Sequence, residues 1–207
     1  MTQQGAETSI HYMAHTSTNR GLAARNQVLN SALKLFTSQG FFNTSIPDIV
    51  RASGISTGSI YHHFGDKEGI ARALYDSLIN RMEDELDDIE SASTTAQDRC
   101  RAIVSLLYRL AEQEPEIMRY MLNAKHREFM SDVIPVCSSR PFQRMRNIVE
   151  QGILQGEIVQ VDGIVAAASV FGGPLRMISL HLDGVLEQPL AGTLDDTWKL
   201  AWRSVAA

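Results

Sequence analysis

The sequence predicts an all-α protein in two parts, and three observations lead there. Apolar residues recur every third or fourth position over long stretches, most plainly at Ile70, Leu74, Leu78, Met82, Leu86 and Ile89, the period of one helix face. No segment alternates apolar and polar residues as a half-buried strand does, and no repeat is present. Charge also divides the chain. Residues 1–75 hold six Lys and Arg (20, 25, 34, 51, 67, 72) against four acids (7, 48, 66, 68), a net of +2, whereas residues 76–207 hold the remaining 13 against 20, a net of −7.

A length of 207 residues with 44% hydrophobic content suffices for one or two domains with a buried core. The two cysteines, Cys100 and Cys137, form no CxxC and lie near no ligand pair. That fits inert thiols in a reducing compartment and argues against a disulfide scaffold or a structural zinc site. No apolar run approaches about 18 residues, so no membrane span is expected, and the first residues lack the charged-then-apolar layout of a signal peptide. The expected location is cytoplasmic, with no membrane, metal or cofactor involved.

Taken in order, residues 1–19 are polar and without period, which predicts a flexible tail. Arg20 and Arg25 stand at the entrance of the first helix, whose stripe is Leu29, Leu33 and Phe36 and whose end is Gly40; Phe41 and Phe42 are expected to fold back onto the core. Thr44 or Ser45 then caps a second helix. Ser45 and Asp48 have capping-box spacing, Pro47 sits in the first turn, Ile46, Ile49 and Val50 form its apolar side, and Gly54 ends it. Ile55 plugs the corner, Ser56 caps a third helix, and Thr57, Gly58 and Ser59 make its first turn.

Two short helices meeting at a tight turn suit a DNA major groove. Small residues at the start of the second let its backbone approach the duplex, where hydroxyls and helix-terminal amides meet phosphates or base edges. Tyr61, His62 and His63 extend that polar contact, while Ile60 and Phe64 face inward. Asp66 caps the next helix. Lys67, in its first turn, opposes the helix dipole, which a DNA phosphate would explain.

The run from Thr44 to Lys67, with its T-G-S-I-Y-H-H-F-x-x-K core, closely resembles the helix-turn-helix of TetR/AcrR-type transcriptional regulators, and the preceding Ala32–Phe41 resembles that family's first helix and turn. One departure is Thr57, where the family often carries Lys or Arg. The resemblance covers about 60 residues strongly and the rest only in length and helical layout. It implies a three-helix DNA-binding head with a helix-turn-helix, followed by a helical ligand-binding and dimerisation body. The DNA contacts so implied are Arg20, Arg25, Thr44, Ser56, Thr57, Gly58, Ser59, Tyr61, His62, His63 and Lys67. The expected divisions are a tail over 1–19, the DNA-binding domain over 20–67, a connecting helix over 68–90 and the body over 91–207.

The connecting helix has an acidic side of Asp76, Glu83, Asp84, Glu85, Asp87, Asp88 and Glu90, expected to be solvated. Beyond it, Cys100, Ile103, Val104, Leu107 and Leu110 mark a helix from Ala96 closed by Pro115. A short helix over Glu116–Asn123 and another reaching Ile134 follow, and Pro141 opens the next, with Phe142, Met145, Ile148, Val149 and Ile153 inward. The apolar stretch 162–183 is interrupted by Gly172, Gly173 and Pro174, which predicts a kink or a split. Thr193 caps a last helix bearing Trp198 and Trp202 on one face.

In the body, Tyr108, Met118, Met121, His126, Met145, Phe171 and Arg176 are candidates to line an adaptable apolar pocket for an unknown small-molecule effector. Phe142, Met145, Val149, Ala167, Val170, Phe171 and Ile178 are candidates for a homodimer seam, because the small residues from Ala166 to Ser169 permit close helix approach. The function so expected is a dimeric regulator, most simply a repressor released from a palindromic double-stranded operator by its effector. The alternative is an architectural DNA-binding protein without an inducer. No nucleophile–base arrangement, Gly-rich phosphate loop or metal-ligand spacing is present to suggest an enzyme.

Overall fold

The computed structural model describes the backbone from Glu7 to Ala207, with side chains from Arg20 onward. Its helices are α1 (Glu7–Ser38), α2 (Ile46–Ser53), α3 (Thr57–Phe64), α4 (Lys67–Ala92), α5 (Ala96–Gln113), α6 (Pro115–Asn123), α7 (Arg140–Leu154), α8 (Gly163–Leu182) and α9 (Leu194–Arg203). Among the described residues there is no strand, only one antiparallel bridge between Ile158 and Ala206. The described residues form an all-α fold. It divides into two compact units, one ending at Leu74 and the other Tyr75–Ala207.

The expected tail over 1–19 falls partly outside the described residues, and from Glu7 the backbone is already helical. Residues 7–19 contain neither proline nor glycine, so nothing local stops the helix from extending backwards.

In the head, α1 contributes Val28, Leu29, Ala32, Leu33 and Phe36 to a core completed by Phe41, Ile49, Ile60, Ile70, Ala71 and Leu74. Phe41 is buried, but Phe42 points to solvent, a correction to the expectation that both fold inward. The α2–α3 corner is set by Gly54, whose φ of 69° is left-handed and whose N–H donates to the Val50 carbonyl at 2.8 Å. Gln27 Nε2 donates to the Ser53 carbonyl at 2.7 Å, tying α1 to the same corner. At the α3–α4 corner, a Cβ on Gly69 would lie 1.9 Å from the Phe64 carbonyl oxygen. Only glycine lets those two helices meet so closely.

In the body, α5 is buried around most of its circumference and packs against α6, α7, α8 and α9. Its first amides are capped from a distance: Glu157 accepts from Ala96 N at 2.9 Å and from Gln97 N at 3.0 Å. Burial pushes the Cys100 thiol on α5 up to about 12, so it stays protonated. The acidic side of α4 is only partly solvated, because Arg144 of α7 reaches Glu83, Asp87 and Glu90 at 3.7, 2.8 and 2.7 Å.

Three local expectations change. The helix foreseen up to Ile134 is a single 3-10 turn, His126–Glu128, because His126 is drawn inward among Tyr75, Tyr120 and Phe129. α8 is not split: it runs through Pro174 as one helix. Its buried side, including Val170, Pro174 and Ile178, packs on neighbouring helices, and that packing outweighs the lost hydrogen bond. With its breaks bridged, α8 is 20 residues long, enough by length and composition alone to cross a membrane. Thr193 gives α9 no side-chain cap and donates instead to the Leu190 carbonyl at 2.9 Å.

Candidate nucleic-acid interface and effector cavity

α2 begins with a complete capping box: Ser45 N donates to Asp48 Oδ2 at 2.9 Å and Asp48 N donates to Ser45 Oγ at 3.3 Å. The Ser45 bonds, helped by Arg51, hold the Asp48 carboxyl below its ordinary range. α3 is capped by Ser56, whose Oγ accepts from Ser59 N. The cap commits the Ser56 side chain to the first turn of α3.

The i, i+4 spacing of a helix places Thr57 with Tyr61 and Gly58 with His62 on one side of α3, and all four are exposed. Tyr61 keeps 50% of its surface open while Ile60 beside it keeps none, so the helix has one face in the core and the opposite face free. His63 is exposed and stacks edge-on with His62, whereas Ser59 is half-buried. A Cβ on Gly58 would meet nothing within 4 Å. The fold itself therefore makes no demand for glycine there.

Thr44 is corrected as a DNA contact, and Lys67 has partners within the chain. Thr44 is buried, with its hydroxyl donating to the Gly40 carbonyl at 2.8 Å and accepting from Gln39 Nε2 at 3.2 Å. Lys67 Nζ donates to the carbonyls of Phe41 and Thr44, both at 2.8 Å, and lies 4.1 Å from the centre of the Phe41 ring. Burial lowers its pKa. Its ammonium thus has two acceptors in the α1–α2 loop. Arg20 is exposed; Arg25 is half-buried with its guanidinium 5.7 Å from the Phe64 ring centre. Sequence reasoning passed over Gly69 and Gln27, because a close backbone approach and a long-range amide bond leave no periodic signal.

The body holds an apolar cavity among α4, α5, α6 and α7 that is partly open to solvent. Of the candidate pocket residues, Met118, Met121 and Met145 line it, joined by Met82. Tyr108, His126 and Arg176 do not. Tyr108 is in the core, its hydroxyl without a partner. His126 is enclosed by aromatic rings, where burial drives its pKa down to about 4, and Arg176 is on the surface. Phe171 lines a separate hollow between α7 and α8. At the cavity's edge Arg81 makes a paired contact with Glu114 and Glu85 accepts from Arg109, and the bonds from Arg81 hold the Glu114 carboxyl below its ordinary range.

Most of the candidate dimer residues are also corrected. Met145, Val149, Val170, Phe171 and Ile178 are buried in this chain's own core, and Phe142 and Ala167 are half-buried against it. The free side of α8 consists instead of Ile164, Val165, Ala168, Ser169, Gly172 and Gly173, one helical step away from the residues chosen by apolarity alone.

A cap-defined pair of short helices at a glycine corner, with the second presenting a free polar face, has the layout of the helix-turn-helix that many DNA-binding domains use. Residues 28–74 match the family described as "Bacterial regulatory proteins, tetR family". HTH-type transcriptional regulator HbdR of Aromatoleum sp. (strain CIB) is 35% identical over 80 residues, 38% of this chain, and the match spans about a third (35%) of that relative's length. HTH-type transcriptional regulator BetI of Rhizobium meliloti (strain 1021) is 27% identical over 169 residues, 74% of this chain and 81% of that protein. A crystal structure of a TetR family transcription regulator from Marinobacter aquaeolei VT8 has the same fold, with a TM-score of 0.75 at 24% identity over 91% of this chain and 98% of that one. Residues 28–74 carry the helix-turn-helix module of TetR-family transcriptional regulators.

Proposed function

We propose that this protein is a cytoplasmic, homodimeric transcriptional regulator, a repressor that leaves a palindromic operator when a small-molecule effector enters the body's cavity. The observation that carries the reading is the free face of α3, Thr57, Gly58, Tyr61 and His62, held outward by a capped turn and a buried Ile60. One such helix offers too few base contacts for operator-level affinity, so two copies are needed, reading half-sites about 34 Å apart. The open apolar side of α8 supports a second copy as its cover: Ile164 is 64% and Val165 57% exposed, and Leu200 on the neighbouring α9 is 70% exposed.

The cavity supports an effector, and α4 supports its route. Leu78, Ile79 and Met82 of α4 line the cavity, and the same helix begins at Lys67 in the head. A ligand that binds the DNA-free spacing of two heads more tightly than the DNA-bound spacing shifts the population off the operator.

The test is selection of fragments from sheared genomic DNA of the source organism by the purified protein at physiological salt. One or a few palindromic sites are expected; many scattered sites would favour an architectural protein instead, and no enrichment would remove DNA binding from the account. Val165→Glu should give a monomer by light scattering and lose the selected site, whereas a dimer of unaltered mass would exclude this side of α8 as the seam.

A further inference from the structure

The cavity walls are carbon and sulfur, from Met82, Leu107, Met118, Met121 and Met145 among others, and the charged residues in the lining are Arg81 and Glu85. Arg81 is held as a fork: Nη1 donates to Glu114 Oε2 at 2.8 Å and Nη2 to Oε1 at 2.5 Å. Glu85 accepts one bond, from Arg109 Nη2 at 3.1 Å. Glu114 stands between α5 and α6 and gives α6 no side-chain cap. Its carboxylate therefore serves the clasp with Arg81, which joins α4 to the α5–α6 corner.

These facts constrain a ligand. A polar group placed deep among such walls loses its water and gains no partner, at a cost of about 1–3 kcal/mol, so the inner part of the ligand is apolar. Its polar end then belongs at the charged edge. The guanidinium fork is shaped for a carboxylate, two parallel bonds to two oxygens, and here that shape is already filled by a carboxylate of the chain itself. The Arg81 and Glu114 side chains are 44% and 39% exposed, so a displaced Glu114 returns to water and the exchange costs little. A ligand cation at Glu85 would replace one bond from Arg109; a ligand carboxylate at Arg81 replaces both bonds from Glu114.

We propose that the cavity takes an amphipathic monocarboxylate, an apolar chain or ring whose carboxylate replaces that of Glu114 on Arg81. This rests on the reading of the body as an effector domain and names the chemical class of the effector. The exchange unfastens the α5–α6 corner from α4, so the clasp is the element that the ligand rearranges.

Calorimetric titration of the full chain with octanoate, octanol and octylamine, without DNA, tests it. Octanoate should bind about tenfold tighter than octanol, the scale of one or two charge-assisted hydrogen bonds, and octylamine should bind no better than octanol. Arg81→Gln should bring octanoate to the level of octanol and leave octanol unchanged. Glu114→Gln, which removes the competing carboxylate, should tighten octanoate, a gain that a merely structural clasp would not produce. Melting curves establish that both variants fold, and the comparison of the three ligands on the unaltered protein stands whatever the variants do. Equal binding of acid and alcohol, preference for the amine, weaker octanoate binding in Glu114→Gln, or no binding by any of the three overturns the proposal. Release of the selected DNA fragment is measured separately. Octanol releasing DNA as well as octanoate would sink the carboxylate assignment and leave the effector reading, while octanoate bound through Arg81 without release would do the reverse.

Discussion

At the scale of single residues, the most informative side chain is Lys67. Its two carbonyl acceptors and the Phe41 ring make it a brace for the α1–α2 loop. Lys67→Ala should therefore destabilise the head by about 2 kcal/mol, the range of a charged hydrogen bond with a cation–π contact, as read by urea unfolding followed by circular dichroism. A lysine used only on phosphate would leave that stability unchanged. His126 gives a prediction in pH. Its folded pKa, about 4, lies below the ordinary 6.5, so the unfolded chain binds the proton first. The stability it contributes is complete above about pH 6.5 and is lost as pH falls towards 4, with a slope of up to about 1.4 kcal/mol per pH unit. Comparing urea midpoints at pH 7 and pH 5 should show a smaller loss for His126→Phe, which keeps a ring among Tyr75, Tyr120 and Phe129, than for the unaltered protein.

At the scale of elements, α3 separates what the fold needs from what DNA would need. A Cβ at Gly58 meets nothing in the chain, and alanine favours a helix over glycine by about 1 kcal/mol. Gly58→Ala should thus melt no lower than the unaltered protein, yet bind its selected site at least about tenfold more weakly if the groove wall comes close there. Unaltered affinity would place the duplex further from this turn. The helices of the head were legible in the sequence because caps, proline and glycine are local signals: Ser45, Asp48, Pro47, Gly54 and Ser56 each do what their type and position dictate. The side chains they orient were less so. Thr44 and Lys67 read as surface residues because their partners, Gly40, Gln39 and Phe41, are set by how loops fold back. In the body, apolarity marked α8 but not which of its sides turns inward, since Val170 and Val165 look alike until α5, α7 and α9 are packed against it.

At the scale of the molecule, charge and its distribution decide how the protein meets DNA. A head of net +2 ahead of residues carrying −7 has few cations to exchange for counterions, so the dependence of affinity on salt should be shallow. Arg20, exposed on α1, is the cation to test: Arg20→Ala should lower the log–log slope against salt by about one if it meets a phosphate. Fluorescence anisotropy of a labelled duplex at several salt concentrations measures this, and an unaltered slope assigns Arg20 to solvated surface.

The stacked rings of Trp198 and Trp202, 5.4 Å apart on α9, are all the tryptophan the chain has. Light excited beyond the tyrosine band therefore comes from the body alone, and the head is dark to it. If adding DNA changes that emission, the change is a message that has travelled out of the head, and its size as each ligand is added gives an optical gauge of how strongly the two units speak to one another.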